Sequence, residues 1–201
     1  RSLWIADEVM AGFGRTGKWF AFQHSNSIPD LIVFAKGVTS GYVPLGGVVI
    51  SEKIVETFND RVFPGGLTYS GHPLACATAV ATIDVMKEEK MVENAARIGS
   101  EIIGPTLAEL AKKHSSIGDV RGQGVFWGID MVSDRATREP LAPYGASSPK
   151  MNEIVATCKK NGLMPFNNFN RIHLNPPCNV SDTEAKLGLE LFSKSLSELS
   201  L

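Results

Sequence analysis

The residues in this chain best able to do chemistry are an aspartate and a lysine that each close a short apolar run. Leu3-Trp4-Ile5-Ala6 ends in Asp7-Glu8-Val9, and Leu31-Ile32-Val33-Phe34-Ala35 ends in Lys36-Gly37. The second run has no polar residue and no alternation, which suits a strand covered on both faces, as in a parallel α/β sheet. Ligands of such sheets bind at the carboxyl ends of the strands. A lysine desolvated there loses its charge and becomes a nucleophilic amine able to form an imine with a carbonyl compound. Alone it would be an ordinary solvated charge, but Asp7 lies 36 − 7 = 29 positions upstream, about one strand-to-strand crossover.

The segments around this pair have to position it. After Lys36 comes Ser40-Gly41-Tyr42-Val43-Pro44-Leu45-Gly46-Gly47, where glycines let backbone approach a bound group. Gly12, Gly14 and Gly17 spell Gly-x-Gly-x-x-Gly. A dinucleotide reading needs a strand running straight into the first glycine and an acidic residue about 20 positions on. Here Asp7 to Ala11 intervene and the next apolar run ends in Lys36 instead. Trp19 to Phe22 with His24 form an aromatic loop in which His24 is structural. Val48-Val49-Ile50 is a third strand, and Ser51 is placed to cap a short helix through Phe58. Phe63 to Pro73, rich in glycine and small hydroxyls, can be either an anion cradle, with backbone N–H groups and Thr68 holding a phosphate, or a plain surface loop. His72, before Pro73, reads as structural.

Leu74 to Met86 is apolar nearly all round, which predicts a helix buried in an interior or at a subunit interface. Lys87-Glu88-Glu89-Lys90 is the expected domain boundary, dividing the chain into 1–90 and 91–201. Val92 to His114 predicts one long helix bent at Gly104-Pro105. A strand follows over Val125 to Val132, then a polar loop from Ser133 to Pro149, then a helix from Met151 to Asn161 ending on Gly162. Arg171 to Pro177 alternates, so Arg171 and His173 share one strand face, fit either for a carboxylate or for a solvent-facing edge. Ser181-Asp182-Thr183-Glu184 is a capping box for a final helix with Leu187, Leu191, Phe192 and Leu196 toward the core.

Composition narrows the function classes. With 201 residues, 43% hydrophobic, 20% charged and a net charge of -1 from 20 basic and 21 acidic residues, the chain has no single-sign field to recruit nucleic acid or a membrane surface. Cys76, Cys158 and Cys178 lie at long spacings without a Cys-x-x-Cys pair, so neither a metal site nor a disulfide framework is expected, and reduced thiols in a cytoplasmic setting are the default. No signal peptide opens the chain and no apolar run of about 18 residues could span a bilayer. Arg1-Ser2 leads into a strand almost at once, and a buried parallel strand needs neighbours on both sides; the expectation is the later part of a longer protein.

A strand-end aspartate, a strand-end lysine and a phosphate-like loop together suggest pyridoxal 5'-phosphate, which needs a carboxylate at its ring nitrogen, an imine partner and a phosphate anchor. A protonated ring can absorb the electrons released when a proton leaves the substrate carbon, and a displaced lysine can shuttle that proton. Asp7-Glu8-Val9 with Gly12-Phe13-Gly14-Arg15-Thr16-Gly17, Phe34-Ala35-Lys36-Gly37, Pro44-Leu45-Gly46-Gly47 and Thr68-Tyr69-Ser70-Gly71-His72-Pro73 resemble the class III aminotransferases in order and spacing. Val120-Arg121-Gly122-Gln123-Gly124 and Pro176-Pro177 extend the resemblance over nearly the whole chain.

The resemblance implies the aspartate aminotransferase-like α/β fold (fold type I), with 1–90 the later part of the large cofactor-binding domain and 91–201 a small α+β domain. It makes Lys36 the Schiff-base lysine, Asp7 the partner of the pyridine nitrogen and Val9 the apolar side chain under the ring. Thr68 would bind the cofactor phosphate of a neighbouring subunit, so a homodimer or dimer of dimers is implied. The implied reaction moves an amino group from an amine or amino acid to a 2-oxo acid such as pyruvate, with a racemase or aminomutase, or a non-catalytic fragment, as the alternatives. The family's first half, with its own phosphate loop and stacking aromatic, is missing from this sequence, so the 201 residues alone are expected to be inactive. His173 stands where ornithine-type members carry an arginine, and Phe166 where amine-type members do; Arg171 and His173 are the carboxylate candidates that remain.

Overall fold

The computed structural model describes residues 2–200, and they fall into two compact units, Arg1–Glu93 and Asn94–Leu201. The division lies a few residues beyond the charged break, within the helix Met91–Ile98.

The first unit is built on three short strands, β1 (Ile5–Asp7), β2 (Leu31–Phe34) and β3 (Gly47–Ile50), in that order. β1 and β2 run parallel with Asp7 opposite Val33, whereas β3 is antiparallel to β2 with Gly47 opposite Phe34. The apolar strands are less covered than their composition predicts: β2 is half-buried throughout, and Ile5, Val48 and Val49 are 50% or more exposed. Among the described residues of this unit, no second layer closes over both faces of the sheet.

A 3-10 turn, Ala21–His24, and the short helix α1 (Glu52–Val55), continued by a 3-10 turn over Glu56–Phe58, connect the strands. Ser51 sits at the N-cap of α1, but its side chain makes no cap hydrogen bond, and its Oγ is buried without a partner. α2 (Pro73–Glu88) starts on Pro73 behind His72, whose Nδ1 accepts the Leu74 N–H at 3.2 Å. Only Ala75, Ala79 and Met86 of α2 are buried; Leu74 and Val80 are 63% and 60% exposed. The uniform burial expected from its all-round apolar sequence is therefore absent in this unit. Phe13, Val38, Ala79, Met86 and Val92 form its small core.

The second unit closes on itself. β4 (Ile117–Gln123), β5 (Phe126–Asp134), β8 (Arg171–Leu174) and β7 (Phe166–Asn168) form an antiparallel sheet in the order β4-β5-β8-β7, with β6 (Glu139–Pro140) on β5. α5 (Pro149–Lys160) and α6 (Asp182–Glu198) pack with α3 (Met91–Ile98) and α4 (Gly104–Lys113) around a core that includes Ile98, Leu107, Ile129, Met131, Ile154, Ile172 and Phe192, all fully buried. Each such side chain contributes about 1.5–3 kcal/mol by leaving water.

The long helix predicted over 92–114 is interrupted one turn earlier than Gly104-Pro105, by a π-turn over Gly99–Ile103. The cause is contact: a Cβ on Gly99 would collide with the backbone of Gly124, so the helix passes directly over the Gly122-Gln123-Gly124 bend. Pro105 is the second residue of α4, directly after the π-turn, where the widened turn accommodates its missing N–H. Ser181 and Glu184 form the expected capping box. Of the α6 residues expected inside, Phe192 and Leu196 are buried, while Leu187 is 51% exposed; Ala185, Leu189 and Ser195 complete the inward stripe, one residue out of the phase the leucines suggested.

Candidate active site

Asp7 ends β1, and Lys36 follows β2 by two residues. Because β1 and β2 are adjacent and parallel, both ionisable groups emerge at the same sheet edge, on neighbouring strands about 4.8 Å apart. The Asp7 carboxylate accepts one hydrogen bond, from the Val9 N–H at 3.1 Å. That bond turns the chain sharply at the strand end and leaves half-buried Val9 beside the carboxylate. Among the described residues neither Asp7 nor Lys36 has an ion pair, and Lys36 Nζ has no hydrogen bond. A carboxylate and an amine thus stand at one edge with both functional ends uncommitted.

Lys36 is exposed, contrary to the burial its apolar run suggested. It begins the 3-10 turn Lys36–Thr39 with a left-handed backbone, φ +45°, which carries the side chain off the strand. It lines an open depression of about 560 Å³ with Thr39, Gly41, Val43, Pro44, Leu45 and Gly46. The buried Thr39 hydroxyl donates to the Val43 carbonyl at 2.6 Å and ties the turn to the loop that follows. The glycine loop between Lys36 and β3 is accordingly the wall of the lysine's pocket.

Thr68 lies in a stretch, residues 61–74, that is exposed throughout. Ser70 Oγ accepts the Leu67 N–H at 3.1 Å, and this turn leaves the Thr68 hydroxyl without a hydrogen bond among the described residues. His72 is spent on capping α2. His24 contacts the Thr16 carbonyl and hydroxyl, both at 3.1 Å, and so braces the glycine-rich loop.

Two residues of this region had no functional reading from the sequence. Glu8 is 3% exposed, and its two carboxylate oxygens accept the Ala21 and Phe22 N–H groups, each at 2.8 Å. Its own N–H donates to the Val33 carbonyl and its carbonyl accepts the Gly12 N–H. Glu8 therefore pins the loop from 9 to 22 to the end of β1. Consecutive strand residues point to opposite faces, so in the pair Asp7-Glu8 only one can point outward; that alternation was the available signal. Phe13, 8% exposed, packs edge-on against Phe20 and Phe34 at 5.4 and 5.9 Å between ring centres.

The carboxylate candidates belong to the second unit. Arg171 Nε donates to Asp130 Oδ1 at 2.8 Å, and Arg121 holds the other Asp130 oxygen at 2.9 Å while its Nε reaches Asp119 at 2.7 Å. The Arg171 guanidinium is thus already paired across the β5–β8 ladder. His173 lies against Phe166, 5.4 Å between ring centres, and its pKa is lowered, first by burial and then by the Arg171 charge. The two side chains share a strand face and line one depression of about 300 Å³ with Arg121, Trp127 and Asp130, but its charges are internally balanced.

Against known proteins, residues 1–196 match the family Aminotransferase class-III. The chain belongs to the class III aminotransferases. This class III chain is 41% identical over 168 residues to the taurine–pyruvate aminotransferase of Bilophila wadsworthia, covering 81% of the chain and 36% of that protein. It is 36% identical over 197 residues to the putrescine–pyruvate aminotransferase of Pseudomonas aeruginosa, covering 98% and 42%. Among solved structures, a taurine:2-oxoglutarate aminotransferase from Bifidobacterium kashiwanohense, in complex with PLP and glutamate, superposes with a TM-score of 0.93 at 41% identity, over 98% of this chain and 44% of that one. An S-selective transaminase from Arthrobacter sp. superposes at 0.89 with 34% identity. The fold is that of the pyridoxal-phosphate transaminases, and the class III chain spans less than half the length of the relatives it matches.

Proposed function

We propose that the protein to which this chain belongs is a pyridoxal 5'-phosphate-dependent aminotransferase that moves an amino group from an amine or amino acid to a 2-oxo acid, with pyruvate as the leading acceptor. The observation that carries the reading is the emergence of Asp7 and Lys36 from adjacent parallel strands at one sheet edge, both without ion-pair partners. The donor set fits the cofactor: a carboxylate for the ring nitrogen, an amine for the carbonyl carbon, an apolar side chain at Val9 for the ring face and a hydroxyl at Thr68 for the phosphate. When bound, the cofactor supplies an electron sink for the carbon that loses its proton.

The chain's own residues do the rest. The Asp7 carboxylate would favour a proton on the ring nitrogen placed against it. Lys36 would hold the cofactor through its amine and, at the edge of its depression, is placed to move the proton when that amine is free. Thr68 is assigned to the cofactor phosphate of a neighbouring subunit, which is supported by the full exposure of residues 61–74 and by the exposed apolar side chains of α2. On this reading residues 1–90 are the later part of the cofactor-binding domain and 91–201 the small domain. Pyruvate as acceptor is supported by the names of two relatives, the taurine–pyruvate and putrescine–pyruvate enzymes.

The test is Lys36→Ala in the full-length protein, assayed with pyruvate and a panel of amines. The expected loss of transamination is at least about 10³-fold, at the upper end for a positioned acid–base group. Full transamination by the variant would remove the proposal. Consumption of the amino donor without any added oxo acid would redirect it to a racemase or aminomutase.

A further inference from the structure

Lys36 and Phe13 both have left-handed backbones, with φ of +45° and +57°, a conformation that costs free energy for any residue carrying a Cβ. The two meet across Gly37. A Cβ placed on Gly37 would lie 2.8 Å from the Cβ of Phe13 and 3.3 Å from its Cγ, so only glycine lets the Phe13 side chain seat directly on the residue after the lysine. Phe13 is in turn held from three sides: its N–H donates to the Trp19 carbonyl at 2.6 Å, its ring packs edge-on against Phe20 and Phe34, and the loop that carries it is pinned by the Glu8 carboxylate. Val38, the next residue but one after Lys36, is 4% exposed in the same small core. Two unfavourable conformations facing each other across one glycine contact persist only where the surroundings over-determine them, and such strain concentrates at functional sites.

We propose that Phe13 is a positioning residue for Lys36: seated on Gly37, it fixes the left-handed turn from which the lysine amine projects. This deepens the reading of Lys36 as the cofactor-binding lysine and rests on it. Phe13 touches neither substrate nor cofactor in this account. It acts through the backbone of residues 36 and 37, so its loss disorders the amine before it affects the strands.

The test uses the full-length protein loaded with pyridoxal 5'-phosphate. Phe13→Ala, Phe13→Leu and Gly37→Ala are compared with Met86→Ala, a cavity in the same small core. Three quantities are read: the melting temperature, the pH midpoint of the visible absorption band of the lysine-bound cofactor, and kcat with KM. The Phe13 and Gly37 variants shift the band midpoint and lower kcat by on the order of 10- to 100-fold, the scale of a misplaced reacting group, with KM little changed. Met86→Ala lowers the melting temperature alone. Phe13→Leu keeps apolar volume without the ring and gives the same readout if Phe13→Ala does not fold. An unmoved band and kcat in Phe13→Leu and Gly37→Ala, with only the stability loss of Met86→Ala, overturns the proposal. Lys36→Ala separates the two levels: if it keeps the visible band, the underlying reading of Lys36 has failed; if it loses the band while the Phe13 variants leave it unmoved, only the positioning role has.

Discussion

Phe192 and Val49 are both apolar residues in regular elements, yet the first is wholly buried in the second unit and the second is 50% exposed in the first. The contrast extends to their neighbours. Around Phe192, helices α3 to α6 and the β4-β5-β8-β7 sheet enclose one continuous core. Around Val49, three strands stand with Ile5 and Val48 open to solvent, and the buried set is reduced to a handful of side chains under Phe13. The two units devote their sequence to different ends. Asn94–Leu201 carries the larger continuous core, whereas Arg1–Glu93 places Asp7 and Lys36 at the carboxyl ends of thinly covered strands, where ligand-binding groups belong.

Truncating one side chain in each unit measures the difference most strongly. Phe192→Ala removes a fully buried ring and is expected to cost about 3–5 kcal/mol in chemical unfolding of the chain. Val49→Ala, on the open sheet face, is expected to stay within about 0.5 kcal/mol. Comparable costs would show that the face of β3 is covered as thoroughly as the second unit's core. Next in size is Glu8→Gln. The amide can accept with its oxygen, but its NH₂ then opposes a half-buried backbone N–H that had a carboxylate oxygen, at about 1–3 kcal/mol for the unsatisfied group. The loss should be localised, with amide exchange accelerated over residues 9–24 and the second unit unaffected. A protection loss spread over both units would deny Glu8 its pinning role.

The smallest effect sharpens the account of the second unit. Burial and the Arg171 charge lower the His173 pKa below its usual 6.5, so the unfolded chain takes up this proton at higher pH than the folded one. The stability His173 contributes is therefore complete above about pH 6.5 and declines as pH falls from there toward the lowered folded value. The wild-type protein should lose more stability than His173→Asn on acidification through that window. Parallel curves would mean that His173 is solvated and free to act as a cation, reopening its candidacy for a carboxylate.

Much of this organisation was legible in the chain. Two apolar runs ending in Asp7 and Lys36 gave the parallel pair, since continuous apolar residues and a strand-end ionisable group leave few alternatives. The capping box at Ser181 and Glu184 announced α6 because its signal is local. What the sequence did not disclose depends on contacts distant along the chain. The π-turn at Gly99 answers to the backbone of Gly124, the pairing of Arg171 answers to Asp130 on the neighbouring strand, and β7 at Phe166–Asn168 exists because β8 lies beside it. The exposure of Lys36 follows from a single left-handed residue, which composition and periodicity do not encode. At the candidate site, the reactive types could be picked out one by one, but the supports, Glu8 and Phe13, became visible only once the loop from 9 to 22 was folded over them.

On the proposed function, the amine of Lys36 is the group that bonds the cofactor. The full-length protein, loaded with pyridoxal 5'-phosphate, reduced with borohydride and digested, tests it by peptide mass mapping. The account predicts the phosphopyridoxyl mass on the peptide carrying Lys36 and on no other lysine. A label fixed to a different lysine, with the Lys36 peptide unmodified, would contradict it.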